Sequence, residues 1–199
     1  MVNDRNRAVA VEIKVNTLSL PERGEAVITP DAGNDFAIYP PIANIPAGGR
    51  QVFRIRWVGQ NIPETGRMYM FSTSELPVSD QPGRTQLQVL YAINSVVAVR
   101  SPQARAQISV AGVERATNAQ GVAGVYVTFE NSGMAMGQVA NSEIELTSGT
   151  WTKLIRQADL NNVVGLGIVP ARQRRAMFLP VADLPAGGAV TARLRAFEG

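Results

Sequence analysis

The two acids of SEIELTS, Glu143 and Glu145, are the nearest thing in this 199-residue chain to a catalytic pair. Paired carboxylates facing one another across a cleft hydrolyse glycosidic bonds. Two positions apart on a strand, however, they share one face, and they read as its wet side. Asp31, Asn34 and Asp35 in PDAGND offer the oxygen ligands that Ca²⁺ takes. They lack the spacing of an EF-hand loop, and turn chemistry accounts for them. Arg172, Arg174 and Arg175 make the one dense basic cluster, which reads as a solvated loop and the start of a strand. The chain has no His and no Cys. That removes disulfides, thiolate or imidazole catalysis and soft-ligand metal sites. The expectation is a protein that is not an enzyme, with no catalytic residue, metal or cofactor. Its net charge of +3 is scattered, so no nucleic-acid partner is expected; no small-molecule substrate is expected either.

The elements that position these residues are short and apolar, and few have helical periodicity. The runs are 8–15, 26–29, 36–39, 51–58, 67–74 and 87–99, then 106–113, 123–130, 136–140, 142–148, 175–181 and 189–197. Clusters such as PERG, IPAGG, GQNIPETG, ENSG and LPAGG separate them. Short strands with regular punctuation argue for β-sandwiches. Residues 151–160 offer a turn at most. No apolar run approaches the roughly 20 residues that a membrane-spanning helix needs. The start, MVNDRNR, shows no apolar signal-peptide core. RSPQA (100–104) is the natural hinge, giving domains over 1–102 and 103–199. The first half is short of strands for an immunoglobulin-like sandwich, so its earliest strands are expected to be missing from this chain.

Residues 39–53 read YPPIANIPAGGRQVF. Adjacent prolines cannot both donate to a ladder, so Pro40 and Pro41 end the strand FAIY and mark a structural corner. Ile42 and Ile45 then pin the crossing to the core. Downstream, Leu87, Val89, Tyr91 and Ile93 alternate on one face of the longest strand, and Leu90 and Ala92 lie on the other. No charge occurs between Arg84 and Arg100. Such a strand is either central and buried on both faces or an adhesive edge, since soluble proteins normally blunt edges with charge or Pro.

These features in this order resemble the PapD-like periplasmic chaperones of the chaperone–usher pilus pathway. The similarity runs through Tyr39-Pro40-Pro41-Ile42, Ile45-Pro46-Ala47-Gly48-Gly49-Arg50 and Phe53-Arg54-Ile55. It continues through Glu75-Leu76-Pro77, the strand ending before Pro102, Glu130-Asn131-Ser132-Gly133 and Asp183-Leu184-Pro185. The resemblance implies an all-β chain of two immunoglobulin-like sandwiches in an angled, boomerang arrangement. It implies a periplasmic chaperone that binds pilus or fimbrial subunits by donor-strand complementation and delivers them to an outer-membrane usher. The subunit-binding residues would be Leu87, Val89, Tyr91 and Ile93, and Glu75, Arg100 and Asp183 would form an interdomain network. Self-association through the same edge is expected when no client is bound. Two basic residues hold the client carboxylate in the family, but residues 94–97 contain neither Lys nor Arg, and the first strand, which carries the other, is expected to be missing. Arg5, Arg7 and Arg100 are the nearest cations in sequence. The competing reading is a two-domain surface or adhesin module that binds through loops, with an internal final strand and no chaperone activity.

Overall fold

The computed structural model describes residues 1–30, 35–77 and 89–195. The chain forms two compact units. Unit 1 comprises Met1–Ser19, Ile28–Ile62 and Met68–Val97; unit 2 comprises Leu20–Val27, Pro63–Arg67 and Ala98–Gly199. The division at Val97 lies a few residues before Pro102.

In unit 1, β1 (Val9–Ser19) is the centre of the main sheet, because it is apolar at alternate positions. Val9, Val11 and Ile13 face the core and are buried. Around it lie β2 (Val27–Pro30), β3 (Phe36–Tyr39), β4 (Ile42–Ile45), β5 (Arg54–Trp57), β6 (Arg67–Leu76) and β7 (Ala92–Val99). The main sheet runs β2-β1-β6-β7, with β4 also paired to β1; β3 and β5 form a separate two-stranded sheet. The two sheets meet through Phe36, whose ring lies edge-on to Trp57, Tyr69 and Phe71 at 5.2, 4.9 and 5.0 Å. The Tyr69 hydroxyl donates to Asp35 at 2.6 Å.

Pro40 and Pro41 stand where the chain passes from β3 in one sheet to β4 in the other. Pro41 lacks an N–H, but its carbonyl accepts from Ile13 at 2.9 Å. One expectation fails here: Ile45 is buried, whereas Ile42 is 52% exposed. The stretch is itself a four-residue strand, and positions three apart on a strand point to opposite faces. The final strand is also shorter than expected. Leu87 lies outside the described residues, and Val89 and Tyr91 precede β7.

Unit 2 contains β8 (Ile108–Thr117), β9 (Ala123–Asn131), β10 (Gly137–Gln138), β11 (Glu143–Ser148), β12 (Trp151–Ile155), α1 (Gln157–Val164), β13 (Ile168–Val169), β14 (Arg174–Pro180) and β15 (Thr191–Arg195). Sheets β14-β9-β8 and β12-β11-β15 enclose a core of Val125, Val127, Phe129, Ile144, Leu146 and Leu179. Leu160 of α1 closes it. The expected turn at 151–160 is β12 followed by this two-turn helix, and Gly165 ends the helix at φ +58°. Residues 139–141 are a 3-10 turn rather than strand.

Asn131 is the polar centre of unit 2. Its side chain is buried and fully used. Nδ2 donates to the Ala135 and Val169 carbonyls at 2.8 and 3.1 Å. Oδ1 accepts from the Gln107 and Gly133 amides, each at 3.0 Å. Truncation strands buried groups, each worth roughly 1–3 kcal/mol. Asn131→Ala is therefore expected to lower unfolding stability by about 2–4 kcal/mol in a denaturant titration. A loss near zero would show that these bonds are replaceable.

Candidate functional site

Strand β7 is the outermost strand of the main sheet, bonded to β6 and, among the described residues, to no strand beyond it. Val89, Tyr91 and Ile93 are 59%, 59% and 60% exposed, and Leu90 is exposed as well. Large apolar side chains therefore stand in solvent at the beginning of an open ladder. Asn94 and Ser95 are exposed too, and Val96 to Val99 are half-buried.

One polar cluster fixes the start of this edge. The Tyr91 carbonyl accepts from the Glu75 amide at 2.9 Å, and the Tyr91 amide donates to Glu75 Oε2 at 3.3 Å. The Glu75 side chain, only 9% exposed, receives both arms of Arg5: Nη1 to Oε2 at 3.1 Å and Nη2 to Oε1 at 2.8 Å. The same guanidinium lies 5.0 Å from the centre of the Tyr91 ring. Asn3 anchors the segment that carries Arg5, donating to the Arg7, Ile45 and Pro46 carbonyls at 2.8–3.0 Å. A cavity of about 280 Å³ lies alongside, walled by Val9, Val11, Ile45, Tyr91 and Ile93 with Arg5 and Glu75.

The three residues of the expected interdomain network take partners inside their own units. Glu75 holds Arg5 in unit 1. In unit 2, Arg100 Nη1 donates to the Ala104 and Ser101 carbonyls at 3.0 and 3.3 Å, and Asp183 pairs with Lys153. The Lys153 hydrogen bond holds the Asp183 carboxyl below its usual value of 3.8. Glu145 pairs with Arg195 across β11 and β15, as befits the wet side of a strand. Asp31 and Asn34 lie outside the described residues. Sequence reasoning missed the role of Arg5, because its partner lies 70 residues away and no local spacing announces it. The only signal was an early Arg in a segment with no other assignment.

No family model matches the sequence, and no curated protein does. Solved structures do. The class 5 fimbriae chaperone CfaA superposes with a TM-score of 0.55 at 10% identity, over 96% of this chain and 89% of that one. A chain of the CsuC–CsuE chaperone–tip adhesion subunit complex from archaic chaperone–usher Csu pili of Acinetobacter baumannii gives 0.53 at 14% identity, over 97% and 86%. A chain of the SafA pilin–SafB chaperone complex of Salmonella enterica gives 0.52 at 16%, over 90% and 74%. The chain has the fold of the fimbrial chaperones. That all-β fold of immunoglobulin-like sandwiches covers nearly its whole length.

Two predictions follow from the side chains described. Arg5 is about a third exposed, so its pair with Glu75 is discounted from the value of a fully buried one. A double-mutant cycle of Arg5→Ala and Glu75→Ala is expected to give a coupling of about 1–2 kcal/mol; a coupling of zero would show that the contact is decorative. For Asp183, a depressed folded pKa means that the ion pair's contribution is present above the unfolded value and is lost as pH falls through the folded one. An NMR titration should place the Asp183 midpoint below 3.8, and Lys153→Ala should move it back up.

Proposed function

We propose that the protein is a periplasmic chaperone for pilus or fimbrial subunits. On this reading it captures a subunit that lacks a strand by pairing the open edge of β7 with it, and passes it to an outer-membrane usher. The observation that carries the reading is a strand that is outermost among the described residues, is led into by exposed Val89 and Tyr91, carries exposed Ile93, and has no charged residue up to Val99. Backbone ladder bonds would supply affinity in any sequence, and the apolar side chains would fill the groove left by the missing strand. Fully burying one such side chain is worth roughly 1.5–3 kcal/mol. Leu87, expected in the same row, lies outside the described residues.

Support also comes from what the similar structures contain: one is a chaperone with a pilin, another a chaperone with a tip adhesion subunit. A module binding through loops would have no use for an apolar strand left open at a sheet edge. The Arg5–Glu75–Tyr91 cluster supports the reading in another way. It fixes the strand's first residues before any client arrives, which lowers the ordering cost of binding.

The test is co-purification with a co-expressed fimbrial subunit. Tyr91→Glu and Ile93→Glu are each expected to reduce recovered complex by about tenfold or more, from the lost burial alone. Ile28→Glu, on the exposed strand at the opposite side of the same sheet, should leave capture unchanged. Intact capture by both β7 variants would sink the proposal.

A further inference from the structure

Arg175 is half-buried and shares the parity of the core-facing residues of β14. Its register partner, Phe129, is fully buried, and the next pairs of the same parity, Met177 with Val127 and Leu179 with Val125, are buried too. A cation at such a position normally has an anion beside it. Among the described residues, Arg175 has no carboxylate partner. Its Nη1 donates to the Pro21 carbonyl at 2.6 Å, and its Nε is buried with no partner. Desolvation holds the guanidinium below its usual value.

The same side chain lines an open groove of about 870 Å³ in unit 2, between β14 and the segment that follows α1. The groove's other walls include Leu20, Val163, Leu166 and Phe178. Leu166 and Val163 are 57% and 41% exposed, so large aliphatic groups stand uncovered beside an uncompensated cation. We propose that this groove binds an aliphatic monocarboxylate, with the carboxylate on Arg175 and the hydrocarbon chain along Val163, Leu166 and Phe178.

The space is of the size that small-molecule sites use, roughly 300–1,000 Å³. One unpaired guanidinium matches one negative charge, and the apolar walls match an alkyl chain. An added peptide strand fits less well. The Ala176 amide already donates to the Glu22 carbonyl at 2.7 Å, and Pro180 at the end of β14 has no N–H to give. The site is independent of the β7 edge and belongs to a ligand class that the sequence reading did not anticipate.

Calorimetric titration of the full chain with sodium decanoate, and separately with decan-1-ol, tests the proposal. Saturable binding of decanoate is expected, with decanol weaker by about tenfold or more for want of the charged bond. Arg175→Met should weaken decanoate binding to the level of decanol. Leu166→Asp, at an exposed position that does not threaten folding, should weaken decanoate and decanol alike. An Arg175 that serves only to keep other strands off β14 predicts no saturable binding, and that result overturns the proposal. Equal affinity for decanoate and decanol overturns it as well, as does undiminished binding by Leu166→Asp.

Discussion

Among the described residues, the backbone of β7 is paired on one side only. Backbone groups on an open side turn to water, and Val89, Tyr91 and Ile93 keep apolar area wet beside them. This arrangement is tolerable only if the strand cannot wander, because a mobile apolar edge would collapse onto its own sheet or recruit another chain. The Arg5–Glu75–Tyr91 cluster supplies the restraint at the strand's start, where the ladder with β6 would otherwise fray. A bidentate pair with one partner nearly buried is a directional clamp, and the cation over the ring fixes Tyr91 as well as its backbone. The rest of unit 1 follows from this need. Asn3 anchors the segment that delivers Arg5, and β6 is long enough to carry both Glu75 and the core residues Tyr69 and Phe71.

The units differ in how they are held together. Unit 2 closes its core from two sheets and a helix, with Asn131 tying loops to its centre. The buried cluster in unit 1 is Val9, Val11 and Ile45, with Phe53 against it. The aromatic group around Phe36 adds to it, and among the described residues Trp57 Nε1 is buried without a partner. Domain stability is a small difference between large terms, about 5–15 kcal/mol. Against that total, covering a few large side chains on β7 is a substantial fraction. A client seated on the edge would stabilise unit 1 in proportion to its concentration above the dissociation constant.

The fold was largely legible because its signals are local. Alternation located β1, β6, β9 and β11, the short apolar run FAIY located β3, and the Pro40–Pro41 pair located the passage between sheets. What escaped had physical reasons. β4 hid inside the corner because four residues cannot display a period. α1 hid because two turns carry one fully buried residue, Leu160, with Arg156 making no side-chain cap. The candidate edge was legible as an uncharged apolar run, yet whether it was central or open depended on which strands lie beside it, and topology leaves no mark in the run itself. Glu75 was singled out for a partner in the other half of the chain. The nearby arginine that it holds is chosen by three-dimensional proximity alone. The basic cluster at 172–175 read as solvated, and it is for Arg174, which pairs with Glu130. Its neighbour Arg175 is half-buried, with its guanidinium on the Pro21 carbonyl.

Two outer strands of the same chain carry their edges differently. Among the described residues, strand β14 is also outermost in its sheet. It carries half-buried Arg175, ends in Pro180, and gives its Ala176 amide to the Glu22 carbonyl. Each of these features discourages another strand from joining it. β7 carries none of them: it has no Lys, Arg, Asp, Glu or Pro, and it is introduced by Val89, Leu90 and Tyr91. A chain that blunts one edge in three ways has the means to blunt the other. An edge left apolar and open carries an aggregation cost. On the proposed function, addition of a strand from another protein is the use that offsets that cost, since an open ladder with projecting apolar side chains serves it directly.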